Sequence, residues 1–308
     1  MISLFDLHCD TLLEAYNKNV NPFDCDLHIS LKKAKNFYPY VQITSIWSDY
    51  RLDNDDAFKK AIDVISYYKN LGFEFIDSLN DNYSQAFILG IEDARLLNND
   101  ISRLDALFEL GVKVITLNWK GSTCIGGGYD TELGLTDFGK SVVCRCAELG
   151  IAIDLSHSSI NTFNDVIYLA SKYNFTPIAS HSNSFSVCNH ARNLNDEQFK
   201  VLAGLGSVVG ICLSCDHIGA NASIHTILKH ILYYLKLGGK NSIALGCDFD
   251  GVSNLPSDID SIEDLKKLYS LCLAELGKEL CDAIFFKNAY SYFKNLLKGD
   301  NHVNIYNG

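Results

Sequence analysis

Eight short apolar runs, each followed by a stretch of different periodicity, constrain this chain more than any other feature of its sequence. The runs are Ile2–Leu7, Val41–Trp47, Ala86–Ile91, Val112–Leu117, Ile151–Leu155, Thr176–Ala179, Ser207–Leu213 and Ser242–Gly246. Each is rich in Ile, Val, Leu or Phe and continuous rather than alternating, which is how a strand covered on both faces reads. Between them lie helical patterns. Asp55–Leu71 repeats apolar side chains at Phe58, Ala61, Ile62, Ile65 and Tyr68. Ile101–Leu110, Thr136–Leu149 and Asn195–Leu205 stop at Gly111, Gly150 and Gly206, and Ser223–Leu237 stops at Gly238-Gly239. Glycine just past the last turn is a helix stop. Asp260–Leu276 and Lys278–Lys298 predict two further helices. The alternation predicts a parallel α/β fold. Eight strands is the number that closes a barrel, so the expectation is a (β/α)8 TIM barrel with its functional residues at strand C-terminal ends. A doubly wound open sheet is the alternative. A length of 308 residues with 47% hydrophobic, four prolines and no low-complexity tract suits one such barrel, a single domain over 1–308.

Charge and cysteine content narrow the function classes. Lys and Arg number 26 against 37 Asp and Glu, a net charge of -11, and never form a dense run. A nucleic-acid binder needs a basic patch to displace counterions, so nucleic acid and acidic membrane are excluded as expected partners. The start, Met1-Ile2-Ser3-Leu4-Phe5-Asp6, lacks the basic and apolar regions of a signal peptide. No run of about 18 apolar residues could span a bilayer. The expectation is a cytoplasmic protein whose 11 cysteines are reduced. Cys212-Leu-Ser-Cys215 has no second pair, and reads as core thiols rather than a redox or zinc site.

Polar residues gather where the barrel predicts them. The first run ends in His8-Cys9-Asp10, and residues two apart on a strand share a face. An imidazole nitrogen beside a carboxylate suits zinc, although a satisfied core pair reads the same way. Glu92 follows the third run; it has two oxygens that could bridge two metals, or it caps a helix. The fifth and sixth runs continue into Ser156-His157 and Ser180-His181. One such histidine reads as structural; two in matching positions, added to His8 and Asp10, read as ligands. His28, His190, His217, His225, His230 and His302 lack that placement and read as surface or packing residues, with His217 the one nearest a strand end. The eighth run continues Gly246-Cys-Asp248-Phe-Asp250-Gly251. Asp248 should point inward as a proton shuttle, while Asp250, before Gly251, reads as a turn residue. Gly126-Gly127-Gly128 reads as a flexible loop at the barrel mouth, because it opens no helix that could cradle phosphate.

In order, Asp6-Leu-His-Cys-Asp10, Gly90-Ile-Glu92, Ile153-Asp-Leu-Ser-His157, Ser180-His181-Ser182, Ala191-Arg192-Asn193-Leu194 and Gly246-Cys-Asp248-Phe-Asp-Gly251 resemble the motifs of the renal, or membrane, dipeptidases and their bacterial relatives, peptidase family M19. The likeness runs from Asp6 to about Leu297. It implies two Zn2+ per chain: His8 and Asp10 on one, His157 and His181 on the other, Glu92 between them. It implies that Arg192 grips a substrate carboxylate or oxyanion, where residue type alone would allow a surface arginine. It makes Asp248 the acid/base and a dipeptide the substrate, including those with a C-terminal D-residue. A zinc-activated water would attack the peptide carbonyl. Relatives of this kind imply a homodimer, for which Tyr233 and Tyr234 could serve as interface or as core. One position departs from the family: its substrate-facing histidine after the fourth strand falls on Trp119, an indole that donates one hydrogen bond and cannot act as acid or base. Two other readings compete. Other barrel amidohydrolases open with His-x-His and bridge metals through a modified lysine, and Lys120 lies beyond the fourth strand end. A metal-binding barrel without catalysis is favoured only by Trp119.

Overall fold

The computed structural model describes residues 1–79 and 83–298. Seven strands form a mixed α/β fold: β1 (Ile2–Cys9), β2 (Phe37–Trp47), β3 (Gln85–Glu92), β4 (Val112–Thr116), β5 (Ala152–Asp154), β6 (Val209–Ile211) and β7 (Ile243–Leu245). Their order in the sheet is β5-β4-β3-β2-β1-β7-β6, with parallel ladders such as β1–β2, β3–β4 and β6–β7. Two compact units divide the chain: Met1–Thr44, residues to Ala86 and Ala179–Phe293 make the first, and Ser45–Leu79, Phe87–Ile178 and residues from Lys294 the second.

In the first unit β1 is buried from Leu4 through Cys9, as a run covered on both faces must be. Phe5 stacks on Phe293 at 5.4 Å between ring centroids, so the odd-numbered side chains face helix Asn288–Leu296. Asp6 and His8 therefore share the opposite face. Helix Asp196–Gly204 begins at Asn195, whose side chain accepts from the Gln198 N–H while the Gln198 side chain accepts from the Asn195 N–H. Phe199 of that helix stacks on Tyr234 at 3.8 Å, and Tyr234 is fully buried. Tyr234 is thus core, and Tyr233 bonds Asp196 through its hydroxyl.

The expected sixth strand forms no ladder. In the second unit the Ile178 N–H donates to Ile153 and its carbonyl accepts from Leu155. In the first unit the Ala179 N–H donates to Val208 and its carbonyl accepts from Gly210. Pro177 has no N–H to extend this pattern, so the run contributes single bridges rather than a strand. Helix Ile160–Tyr173 was not among the expected elements, although Ser159 caps it by accepting from the Thr162 N–H. The last expected helix is broken into Lys278–Asp282, a wider turn at Ala283–Lys287 and Asn288–Leu296.

Two glycines show how closely strand ends pack in the first unit. A side chain at Gly210 of β6 or at Gly246 after β7 would run into the carbonyl of Ser180. Only glycine lets the segment carrying His181 lie against both. All eleven cysteines are free thiols. Among the described residues no helix is long and apolar enough to cross a membrane.

Candidate metal centre

The first unit gathers five of the residues that the sequence singled out. β1 ends at Cys9, and Asp10 turns into helix Thr11–Lys18 with φ −105° and ψ 11°. The extended-strand expectation is therefore corrected at Asp10: its N–H donates to Phe249, which bends the chain there. The turn still presents its carboxylate to His8, with Nε2 to Oδ2 at 3.6 Å. The same Nε2 lies 3.8 Å from Oδ1 of Asp248. Asp248 follows β7 in a left-handed conformation, φ 62°, fixed by its N–H donating to the His8 carbonyl. Any side chain at Gly251 would collide with the carboxylates of both Asp10 and Asp248.

His181 is 1% exposed, and its ring centroid lies 4.0 Å from that of His8. Its Nδ1 pairs with the Ser180 hydroxyl at 2.7 Å, which orients Nε2 for another partner. Arg192 is 4% exposed, so the surface reading fails. Its guanidinium donates to the His181 carbonyl at 3.2 Å. Beneath His8, burial pushes the Asp6 carboxyl up to about 6, against the opposing pull of the Cys247 N–H that it accepts at 2.8 Å.

Asp250 has a structural role. It accepts from the His28 and Ile29 N–H groups and from the Thr11 hydroxyl, and its own N–H donates to His28 Nδ1. His28 is therefore a loop fastener, as its packing reading allowed. His230 is fully buried, takes the Ser184 N–H on Nδ1 and donates from Nε2 to the Ile218 carbonyl. Burial lowers its pKa.

The second unit gathers the remainder. Glu92 ends β3 and is 4% exposed. His157 lies three residues past β5 with φ 67°, an uncommon left-handed position for a residue other than glycine. Its Nε2 is 3.1 Å from Oε1 of Glu92. Its Nδ1 lies 3.0 Å from the Trp119 carbonyl. A carbonyl only accepts, so Nδ1 carries a proton and Nε2 is the nitrogen turned toward Glu92. The Trp119 indole packs edge-on to Trp47 at 5.0 Å and stacks with Tyr50 at 5.7 Å, with Lys120 Nζ 4.6 Å from its centroid. Asp154 at the end of β5 accepts from the Thr116 hydroxyl and the Ser156 N–H. The sequence reading gave it no role, because a carboxylate inside an apolar run is indistinguishable there from a structural one. Gly126-Gly127-Gly128 is built rather than loose: a side chain at Gly126 or Gly127 would meet backbone at Leu133–Leu135, and one at Gly128 would meet Lys120.

Each unit thus holds buried candidate metal ligands, His8, Asp10 and His181 in the first, Glu92 and His157 in the second. The donor set of imidazole nitrogens and carboxylate oxygens fits a borderline divalent cation, and a fixed proton on the far nitrogen of His157 suits ligation through Nε2.

Comparison with known proteins agrees with this chemistry. Residues 1–295 match the membrane dipeptidase family, peptidase family M19, and the chain belongs to that family. It is a metal-dependent dipeptidase by that membership. The fold is similar to that of a solved family M19 metallopeptidase, dipeptidase AC, with TM-score 0.87 and 22% identity over 98% of this chain and 99% of that one. It is similar to a metallopeptidase from Rhodobacter sphaeroides solved with a phosphinate mimic of the dipeptide L-Ala-D-Ala, with TM-score 0.85 and 21% identity over 96% and 99%. A Klebsiella pneumoniae protein, described as uncharacterized and in the pqqA 5' region, is 28% identical over 236 residues, 72% of this chain and 86% of its own length.

Proposed function

We propose that this chain is a binuclear zinc dipeptidase built as one catalytic (β/α)8 barrel. His8 and Asp10 would hold one zinc, His157 and His181 the other, and Glu92 would bridge them. The support within each unit is the burial and donor chemistry of its candidate ligands: His8, Asp10 and His181 in the first, Glu92 and His157 in the second. When bound, the zinc pair supplies Lewis acidity and a water whose pKa is brought towards roughly 7.

The chain's own residues do the rest. Asp248 takes the proton of the attacking water and delivers it to the leaving amine, a role that suits a carboxylate held 3.8 Å from His8. Arg192, buried against His181, grips the substrate carboxylate or the developing oxyanion with its planar fork. Trp119 lines the substrate site where many family members carry histidine; it shapes the pocket and moves no proton. Dipeptides are the substrates, those with a C-terminal D-residue among them, as the ligand of the Rhodobacter sphaeroides metallopeptidase suggests. The protein acts in the cytoplasm as a homodimer.

The observation that carries this reading is a buried imidazole, His8, facing two carboxylates within 4 Å. The experiment is release of free D-alanine from L-alanyl-D-alanine by zinc-loaded protein, with a chelated sample and a metal count alongside. Two zinc ions per chain and turnover that vanishes on chelation are expected. Two bound zinc ions without turnover on any dipeptide would overturn the catalytic reading, and fewer than two would overturn the ligand assignment.

A further inference from the structure

Asp248 needs support that β7 does not give it. It lies beyond the strand, at φ 62°, where an L-residue is uncommon. One oxygen, Oδ1, faces His8. The other, Oδ2, lies 3.7 Å from the sulfur of Cys212, within range of a thiol hydrogen bond. Cys212 is fully buried just past β6, and its backbone is clamped on both sides by one amide: Asn183 Nδ2 donates to the Cys212 carbonyl at 2.9 Å, and the Cys212 N–H donates to Asn183 Oδ1 at 3.1 Å. The Ser214 N–H donates to the sulfur at 3.4 Å, and His217 Nδ1 lies 3.8 Å from it. The thiol is therefore fixed in position and aimed at one oxygen.

We infer that Cys212 is a positioning residue for Asp248: its S–H, held by the Asn183 clamp, donates to Oδ2 and sets the direction in which the carboxylate presents its proton-carrying oxygen. Burial keeps the thiol protonated, with its pKa well above the ordinary value. A carboxylate oxygen is the stronger acceptor of its single proton than the imidazole of His217. This assigns chemistry to the first cysteine of Cys212-Leu-Ser-Cys215, which the sequence marks only as a core thiol. It rests on the reading of Asp248 as the acid/base.

The test compares Cys212→Ala, Cys212→Val and Cys212→Ser in the zinc-loaded full chain on L-alanyl-D-alanine, with zinc counted in each. Valine keeps the apolar volume without a donor, and so reports even if the alanine variant folds poorly. Serine keeps a donor. Loss of the donor should lower kcat about tenfold, the effect of removing one hydrogen bond to a charged group, with KM and zinc content unchanged. Serine should recover most of the rate. In the Asp248→Asn background, Cys212→Val should cost nothing further, because the two act as one unit. Wild-type kcat in Cys212→Val, or a serine variant no faster than valine, overturns the inference while an inactive Asp248→Asn leaves the catalytic reading standing. An active Asp248→Asn overturns that reading itself.

Discussion

Ser156-His157 and Ser180-His181 are the same dipeptide past two successive apolar runs, yet the chain holds the two imidazoles by different means. His181 Nδ1 is paired with a side chain, the hydroxyl of the serine before it. His157 Nδ1 is paired with main chain, the Trp119 carbonyl, and its own backbone is left-handed. A hydroxyl can donate or accept, so it orients a ring without fixing its tautomer; a carbonyl does both. Identical sequence motifs therefore give one proposed ligand that mutation can loosen and one that it can barely reach.

The largest expected effect sets the baseline for that contrast. Asp248→Asn should lower kcat roughly 100- to 10,000-fold while both zinc ions stay bound, because it removes the proposed acid/base and neither histidine support. Zinc lost from this variant would mean that Asp248 belongs to the metal shell. Next, Ser180→Ala should weaken zinc at the His181 site about 10- to 100-fold, the usual cost of losing a partner that orients a ligand, as read by competition with a chelator. Undiminished affinity would show that the hydroxyl is idle and dissolve the contrast. Trp119→His should leave zinc affinity unchanged, since the carbonyl remains, and should shift kcat/KM among dipeptides about tenfold, the size of one hydrogen bond to substrate. A fall in zinc content there would show that the indole, with its Trp47 and Tyr50 packing, is what holds the carbonyl in place.

The smallest effect concerns a histidine held on both nitrogens and far from any ligand role. Burial lowers the His230 pKa from its ordinary 6.5, so the unfolded chain takes up a proton that the folded chain refuses. Stability should then fall as pH drops below about 6.5 and be unaffected by His230 above it. Urea midpoints at pH 7.5 and 5 should converge in His230→Asn relative to wild type. An equal pH dependence in both proteins would mean that the buried imidazole is not the group responsible.

Much of this was legible in residue order. Continuous apolar runs placed seven strands, because a strand buried on both faces leaves an unbroken signature, and glycines after Leu149 and Leu205 marked helix ends. His8, Asp10, Glu92, His157 and His181 stood out because polar side chains directly after such runs sit where a parallel barrel would gather its functional groups. The sixth strand misled because Pro177 removes a donor that periodicity does not register. Helix Ile160–Tyr173 was overlooked although its cap, Ser159, lies directly in front of it. Asp10 was expected in extended chain, and its bend depends on its N–H donating to the carbonyl of Phe249, more than two hundred residues away. The burial of Arg192 and the aim of Cys212 are tertiary facts of the same kind, which local pattern cannot contain.

His157 and Asp248 both occupy backbone that glycine would adopt at less cost. A redesign that scored each position by folding energy alone would replace them with glycine and gain of order 1 kcal/mol at each. It would return a sturdier fold stripped of the imidazole and the carboxylate that we propose as ligand and proton carrier. Under those proposed roles, the least optimised positions of the chain are the ones kept for turnover at the expense of durability, and strained positions that keep reactive side chains offer a way to search other sequences for active sites.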